Sequence, residues 1–270
     1  MPVAESNALQ AVLYAFSRVQ ALKERYTLKG GNALRMGHGS PRSSQDLDFT
    51  LKGAAFSIQA ADHEHALASF LPLFNRGLKL AETKYGMVLD VTSAKVVPAK
   101  KDPRSFPSFE VKVGYCETAG PSFFKPVVKV EVSLNELVCE DGEVSLGDFT
   151  ISLASLNDIV AEKLRAILQQ PLRNRRRPRD FYDIWYFSKH HPALLDHEKI
   201  GKFLLQKAAN RRVPISRRAF ENPEIFKRGA TDFDQLRGTL PKDEPFPSFV
   251  DAAAAVRALV AGLALPDTHE

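Results

Sequence analysis

The chain has 270 residues, 44% of them hydrophobic and 26% charged, which is enough to bury a sizeable core and excludes a disordered polymer. Lysine and arginine number 37 against 32 acidic residues, a net charge of +5 that permits a polyanionic partner without demanding one. No apolar run reaches the ~18 residues of a membrane span, the N-terminus lacks secretory order, and Cys116 and Cys139 sit in no metal-type cluster, so a cytoplasmic protein with no membrane partner is expected.

In chain order, Leu9, Val12, Leu13, Phe16, Val19 and Leu22 recur at helical spacing and predict a helix over residues 1–26. Gly30 and Gly31 break the pattern, "ALRM" reads as a short helical turn, and "DLDFTLK" reads as a strand. Residues 62–85 form a second helical stretch with an expected break at Pro72. Three strands are predicted at 87–97, 109–116 and 127–134 from period-2 alternation, and a Pro- and Lys-rich loop at 98–108 separates the first two. "SLNDIVAEKLRAILQQ" is a helix whose Ser155 and Asp158 have capping-box spacing. After the arginine-rich "PLRNRRRPRD" comes a further helix, "DFYDIWYFSKHH". The remainder reads as helical, with Pro-rich breaks near 213 and 241–247 and an Ala-rich last helix at 249–265. The fold class is therefore α+β, with a sheet-bearing domain at 1–150 and a helical domain at 151–270 completing a cleft.

The chemistry centres on "GGNALRMGHGSPRSSQDLDF". On a strand, Asp46 and Asp48 point to one face. Two carboxylates placed so suit a divalent cation such as Mg²⁺, although the same pair also serves as a solvated strand end. The Gly30-Gly31 element lets backbone N–H groups approach an anion closely, and a nucleotide triphosphate is one such anion. Glu131 shares the polar face of its strand with Lys129 and Ser133, and would complete a metal site, act as a base or simply face solvent. Lys163 lies at the edge of an apolar stripe, where it binds a triphosphate or covers core with its stem. Asp180 and Asp183 share a helix face, and one of them pairs with Lys163 or orients phosphate, while Asp180 also suits a helix start. The cluster Arg173, Arg175, Arg176, Arg177 and Arg179 contacts an RNA backbone or nucleotide phosphates, or forms a solvated loop. The seven histidines form no ligand set.

These motifs together resemble the AbiEii/AbiGii-type nucleotidyltransferase toxins. The first resembles that family's Gly-Gly-x-Ala-Leu-Arg and Arg-x-Ser-x-Asp-Leu-Asp-Phe elements. "DIVAEKLRAILQQ" with "RPRDFYDIWYF" resembles its later Glu-Lys-Leu-Arg-Ala and Arg-Asp-x-Tyr-Asp elements. The match spans about 28–188, and the C-terminal third carries no matched motif. The resemblance implies a DNA polymerase β-like minimal nucleotidyltransferase fold, Mg²⁺, a nucleoside triphosphate and a cognate antitoxin. It also implies a role in a toxin–antitoxin or phage-defence system, with tRNA acceptor ends among the targets of MenT-type relatives. By resemblance Asp46 and Asp48 are metal ligands. Gly30, Gly31, Asn32 and Arg35 shape the nucleotide site, Ser44 is a serine near the metal, and Lys163 and Asp183 fill the later catalytic positions. Asn32 departs from the usual Thr or Ser. The expected activity is transfer of a nucleotide to RNA. The alternatives are transfer of nucleotide or phosphate to a protein partner or to itself, and a non-catalytic nucleotide- or RNA-binding module.

Overall fold

The structure is a computed structural model that describes residues 3–53, 62–97, 108–116 and 126–267. The loop predicted at 98–108 lies outside them except for Ser108, which begins a strand, and so does His269. The described chain divides into two compact units: the residues through Gly37 with Ser43–Ala154, and His38–Arg42 with the residues from Ser155 onward.

The first unit opens with α1 (Val3–Arg18), which buries Leu9, Val12, Leu13 and Phe16. The predicted single helix stops there because Val19 adopts an extended backbone, φ −108° and ψ 110°. A short α2 (Gln20–Arg25) follows, and Tyr26 already belongs to β1 (Tyr26–Lys29). Four residues are too few to show alternation. β1 exists because its neighbours on both sides satisfy its backbone: β2 (Asp46–Leu51) runs antiparallel to it and β7 (Phe149–Ala154) parallel. The glycine pair is the opening of a helix rather than a break, α3 (Gly30–His38). Helix α4 (Asp62–Tyr85) runs straight through the exposed Pro72.

The predicted strands appear as β3 (Val88–Val97), β4 (Ser108–Cys116) and β5 (Val127–Ser133). A hairpin the alternation does not announce, β6 (Asp141–Leu146) with β7, turns through Gly147 at φ +70° and Asp148. Among the described residues seven strands form one mixed sheet ordered β3-β4-β5-β2-β1-β7-β6. Phe16 of α1 stacks on Phe49 of β2 with ring centroids 3.8 Å apart. Phe70 and Phe74 of α4, Tyr26 and Phe109 complete that aromatic core. Helices α1 and α4 therefore cover one sheet face, and alternation sends Asp46 and Asp48 to the other.

The second unit is helical: α5 (Leu156–Leu172), α6 (Pro178–His190), α7 (His197–Arg211), α8 (Pro223–Ala230) and α9 (Phe249–Ala261), the last ending earlier than its Ala-rich run predicts. Phe181 of α6 meets Phe226 of α8 and Phe249 of α9. A Cβ on Gly229 would lie 2.3 Å from the Phe181 ring, so only glycine lets α8 approach this closely. Gln170 of α5 donates to the Ile225 carbonyl and accepts from the Arg177 amide, tying three segments together. The Ser155 hydroxyl accepts from the Asp158 amide and caps α5. Ser155→Ala is expected to cost about 1 kcal/mol in urea unfolding, and an unchanged midpoint would show the cap is dispensable. Among the described residues no helix is long and apolar enough to cross a membrane.

Candidate active site

Strand register builds the carboxylate face. Asp48 of β2 lies opposite Glu131 of the parallel strand β5, and Glu131 lies opposite Glu110 of β4. Lys29 of β1 and Lys95 of β3 close the two ends of this row. In the next row Asp46 faces Lys129, which faces Lys112. Three carboxylates side by side repel one another and stand together only where cations balance them. The Lys129 ammonium lies 3.2 Å from Asp46, 3.8 Å from Glu131 and 3.9 Å from Glu110. Lys95 lies 3.4 Å from Glu110, and Lys29 pairs with the buried Glu136.

Helix α3 begins against this row. Gly30 has φ +71°, and a Cβ there would sit 2.4 Å from Asp48 Oδ2, so the position tolerates neither a side chain's conformation nor its volume. Gly31 follows in the same first turn. The fully buried Asn32 donates from Nδ2 to the carbonyls of Ser44, at 3.0 Å, and Asp46, at 2.7 Å. This amide clasps the entry of β2 to α3 instead of offering its donor to a ligand. Arg35 is half-buried on the same helix, and Ser44 is buried. Burial pushes the Asp48 carboxyl up to about 6; Lys29 opposes this, and Glu131, Asp46 and Glu136 add to it.

The donor chemistry suits a hard divalent cation: carboxylates from adjacent strands share one face, and glycine at position 30 lets the start of α3 lie close against Asp48 Oδ2. Among the described residues no group of three or more His, Cys, Asp or Glu side chains is placed to hold a metal ion, so the two aspartates would bind it together with substrate or water oxygens. Asp46 is instead turned to Lys129.

Lys163, Asp180 and Asp183 meet in the second unit. The buried Lys163 ammonium lies 2.8 Å from Asp180 Oδ1 and 2.8 Å from Asp183 Oδ2. Arg42 grips Asp183 with two bonds, Nε to Oδ1 and a terminal nitrogen to Oδ2, both 2.8 Å. Two cations and two anions leave this buried cluster neutral. Burial alone would raise the Asp183 carboxyl, but Arg42 and Lys163 outweigh it and hold it at about 2. Burial likewise disfavours the Lys163 ammonium, and the two aspartates more than restore it.

The sequence matches the profile described as Nucleotidyl transferase AbiEii toxin, Type IV TA system, over residues 11–255. The chain belongs to this family of nucleotidyltransferase toxins. The fold agrees. MenT4, a nucleotidyltransferase toxin from Mycobacterium tuberculosis H37Rv, superposes with a TM-score of 0.59 at 18% identity, covering 97% of this chain and 85% of that one. JHP933 from Helicobacter pylori superposes with a TM-score of 0.53 at 17% identity, covering 97% and 92%. Comparison with curated protein sequences finds no match.

Within this AbiEii-family fold, Gly30, Gly31, Asn32, Arg35, Ser44, Asp46, Asp48 and Glu131 are gathered around β2 and α3 of the first unit. Lys163 and Asp183 are joined in the second. Of the arginines, Arg175, Arg176 and Arg179 are exposed and Arg173 and Arg177 half-buried; Arg176 pairs with Asp232 at 2.9 Å. Sequence reasoning passed over Arg42, Glu110 and Lys129 as participants. Arg42 sits in an irregular stretch without periodicity. Lys129 carried a signal, being two residues from Glu131 on the same strand face.

Proposed function

We propose that this AbiEii-family protein is a Mg²⁺-dependent nucleotidyltransferase that moves a nucleotide from a nucleoside triphosphate to an RNA hydroxyl, with a tRNA acceptor end as the preferred target. The observation that carries this reading is Asp46 and Asp48 on one face of β2, with Asp48 opposite Glu131 of β5, beside a helix start where only glycine fits. Asp46 and Asp48 would hold the metal. When bound, Mg²⁺ supplies charge neutralisation and a template for the phosphates. Backbone amides of Gly30 and Gly31 cradle phosphate oxygens, and Arg35 adds positive charge from the same helix. The acceptor oxygen forms a bond to the α-phosphorus, the bond to pyrophosphate breaks, and pyrophosphate departs with the electron pair. Glu131, which keeps an open side, takes the acceptor proton. Lys163 and Asp183 are assigned to the nucleotide as an ordered pair whose geometry Arg42 fixes. Arg173, Arg175, Arg176, Arg177 and Arg179 are assigned to the RNA backbone.

The toxin family points to a cognate antitoxin, and the biological setting we propose is toxin–antitoxin control or phage defence in the cytoplasm. The test is incubation with each labelled nucleoside triphosphate, Mg²⁺ and total tRNA, beside an Asp46→Ala/Asp48→Ala variant. Label on tRNA with the wild type alone is expected. Label on protein instead would move the acceptor to a partner or to the chain itself, although the burial of Ser44 disfavours that residue as the acceptor. Equal labelling by the variant, or none by either protein, sinks the catalytic assignment.

A further inference from the structure

Lys129 is used by no step above, yet it holds the centre of the carboxylate face. Four carboxylates share this face in two adjoining rows: Glu110, Glu131 and Asp48 in one, Asp46 in the next. Lys95 reaches Glu110 from the outer strand, and Lys29 is engaged by Glu136. Among the described residues Lys129 is the cation that reaches Asp46, Glu131 and Glu110 at once. Its closest oxygen, at 3.2 Å, belongs to one of the two proposed metal ligands.

We infer that Lys129 is a built-in competitor for the metal: its ammonium holds Asp46 until a divalent cation displaces it toward Glu131 and Glu110. This inference rests on the metal reading proposed above. The geometry supplies both ends of the movement. The side chain is 29% exposed, so it has room to swing. Glu131 and Glu110 already lie within 4 Å, so leaving Asp46 does not strand the ammonium without a partner. The cost of packing like charges side by side in the metal-free protein is thereby offset by an internal cation. The same cation sets the metal concentration at which the site fills, because two positive charges cannot share the Asp46 carboxylate at contact distance. Lys129 is thus a positioning residue, acting through Asp46 rather than on substrate.

The experiment is a calorimetric Mn²⁺ titration of the full chain as wild type, Lys129→Gln, Lys129→Arg and Asp46→Asn, with thermal unfolding of each in the absence and presence of Mn²⁺. Removing one positive charge some 5 Å from a divalent ion changes its affinity by roughly tenfold. Lys129→Gln is therefore expected to bind Mn²⁺ about tenfold more tightly, to unfold at a lower temperature without metal, and to gain more from Mn²⁺ than the wild type does. Lys129→Arg, which keeps the charge, is expected to bind as the wild type does. Lys129→Met keeps the apolar stem and replaces Lys129→Gln should the latter fold poorly. Unchanged or weaker Mn²⁺ binding by a folded, uncharged variant overturns the inference while leaving the metal site intact. Unaltered Mn²⁺ binding by Asp46→Asn overturns the metal reading itself, and the role of Lys129 with it.

Discussion

Asp48→Asn is expected to lower nucleotide transfer by roughly a thousandfold, the scale seen when one positioned charge-stabilising group is removed from a transfer site. The same change is expected to make the metal-free protein more stable above neutral pH. The Asp48 carboxyl, pushed up to about 6 by burial among Glu131, Asp46 and Glu136, is ionised at pH 8 at a cost to the fold. Its folded value lies above the usual 3.8. The stability tied to its proton is therefore full below about pH 4 and is lost as pH rises through about 6. Asparagine removes the charge at every pH and keeps the shape beside Gly30. Thermal unfolding in chelator at pH 8 should show a midpoint a few degrees above wild type, with the gap closing toward pH 4. A variant that is inactive but also less stable at pH 8 would mean that Asp48 is a structural carboxylate rather than one held against its own repulsion for function.

Arg42→Ala is expected to destabilise the second unit by about 3–5 kcal/mol, because it leaves Asp180 and Asp183 to share Lys163 in a buried site. Urea unfolding at pH 7 measures the loss, and a change below 1 kcal/mol would show that the cluster does not need its fourth charge. The acid side carries a second expectation. Asp183 is held at about 2 against an ordinary 3.8, so its contribution is present above about pH 4 and disappears as pH falls toward 2. In Arg42→Ala that acid-sensitive portion should shrink, giving a flatter stability profile between those limits. Replacing Arg42 and Asp183 together with apolar residues is expected to recover much of the stability while leaving transfer activity lost. That separation of fold from function would identify the cluster as a retained functional element.

Much of the candidate site's local geometry was legible because its parts obey local periodicities. Asp46 and Asp48 are two apart on a strand, so their common face follows from the pleat alone. Asp180 and Asp183 are three apart on a helix, and their shared face likewise follows from its turn. Strands β3, β4 and β5 declared themselves by alternation, and Ser155 declared the start of α5. Strand β1 did not, since four residues carry no period and its helix-like approach from α2 masks the change at Tyr26. The β6–β7 hairpin was passed over too, its outer strand being exposed along most of its length.

The amino-acid sequence by itself determined the chemical inventory: which carboxylates, lysines and glycines are available, and which of them share a face with their near neighbours. Tertiary structure alone decided which faces meet. The parallel register of β2 with β5 sets Asp48 beside Glu131 and Asp46 beside Lys129, across more than eighty residues of chain. The same is true of Arg42 on Asp183, 141 residues apart. Periodicity reports only the orientation of a side chain about its own segment's axis. The charge that balances it is chosen by register and packing, which depend on the whole hydrophobic core and leave no mark in the local pattern.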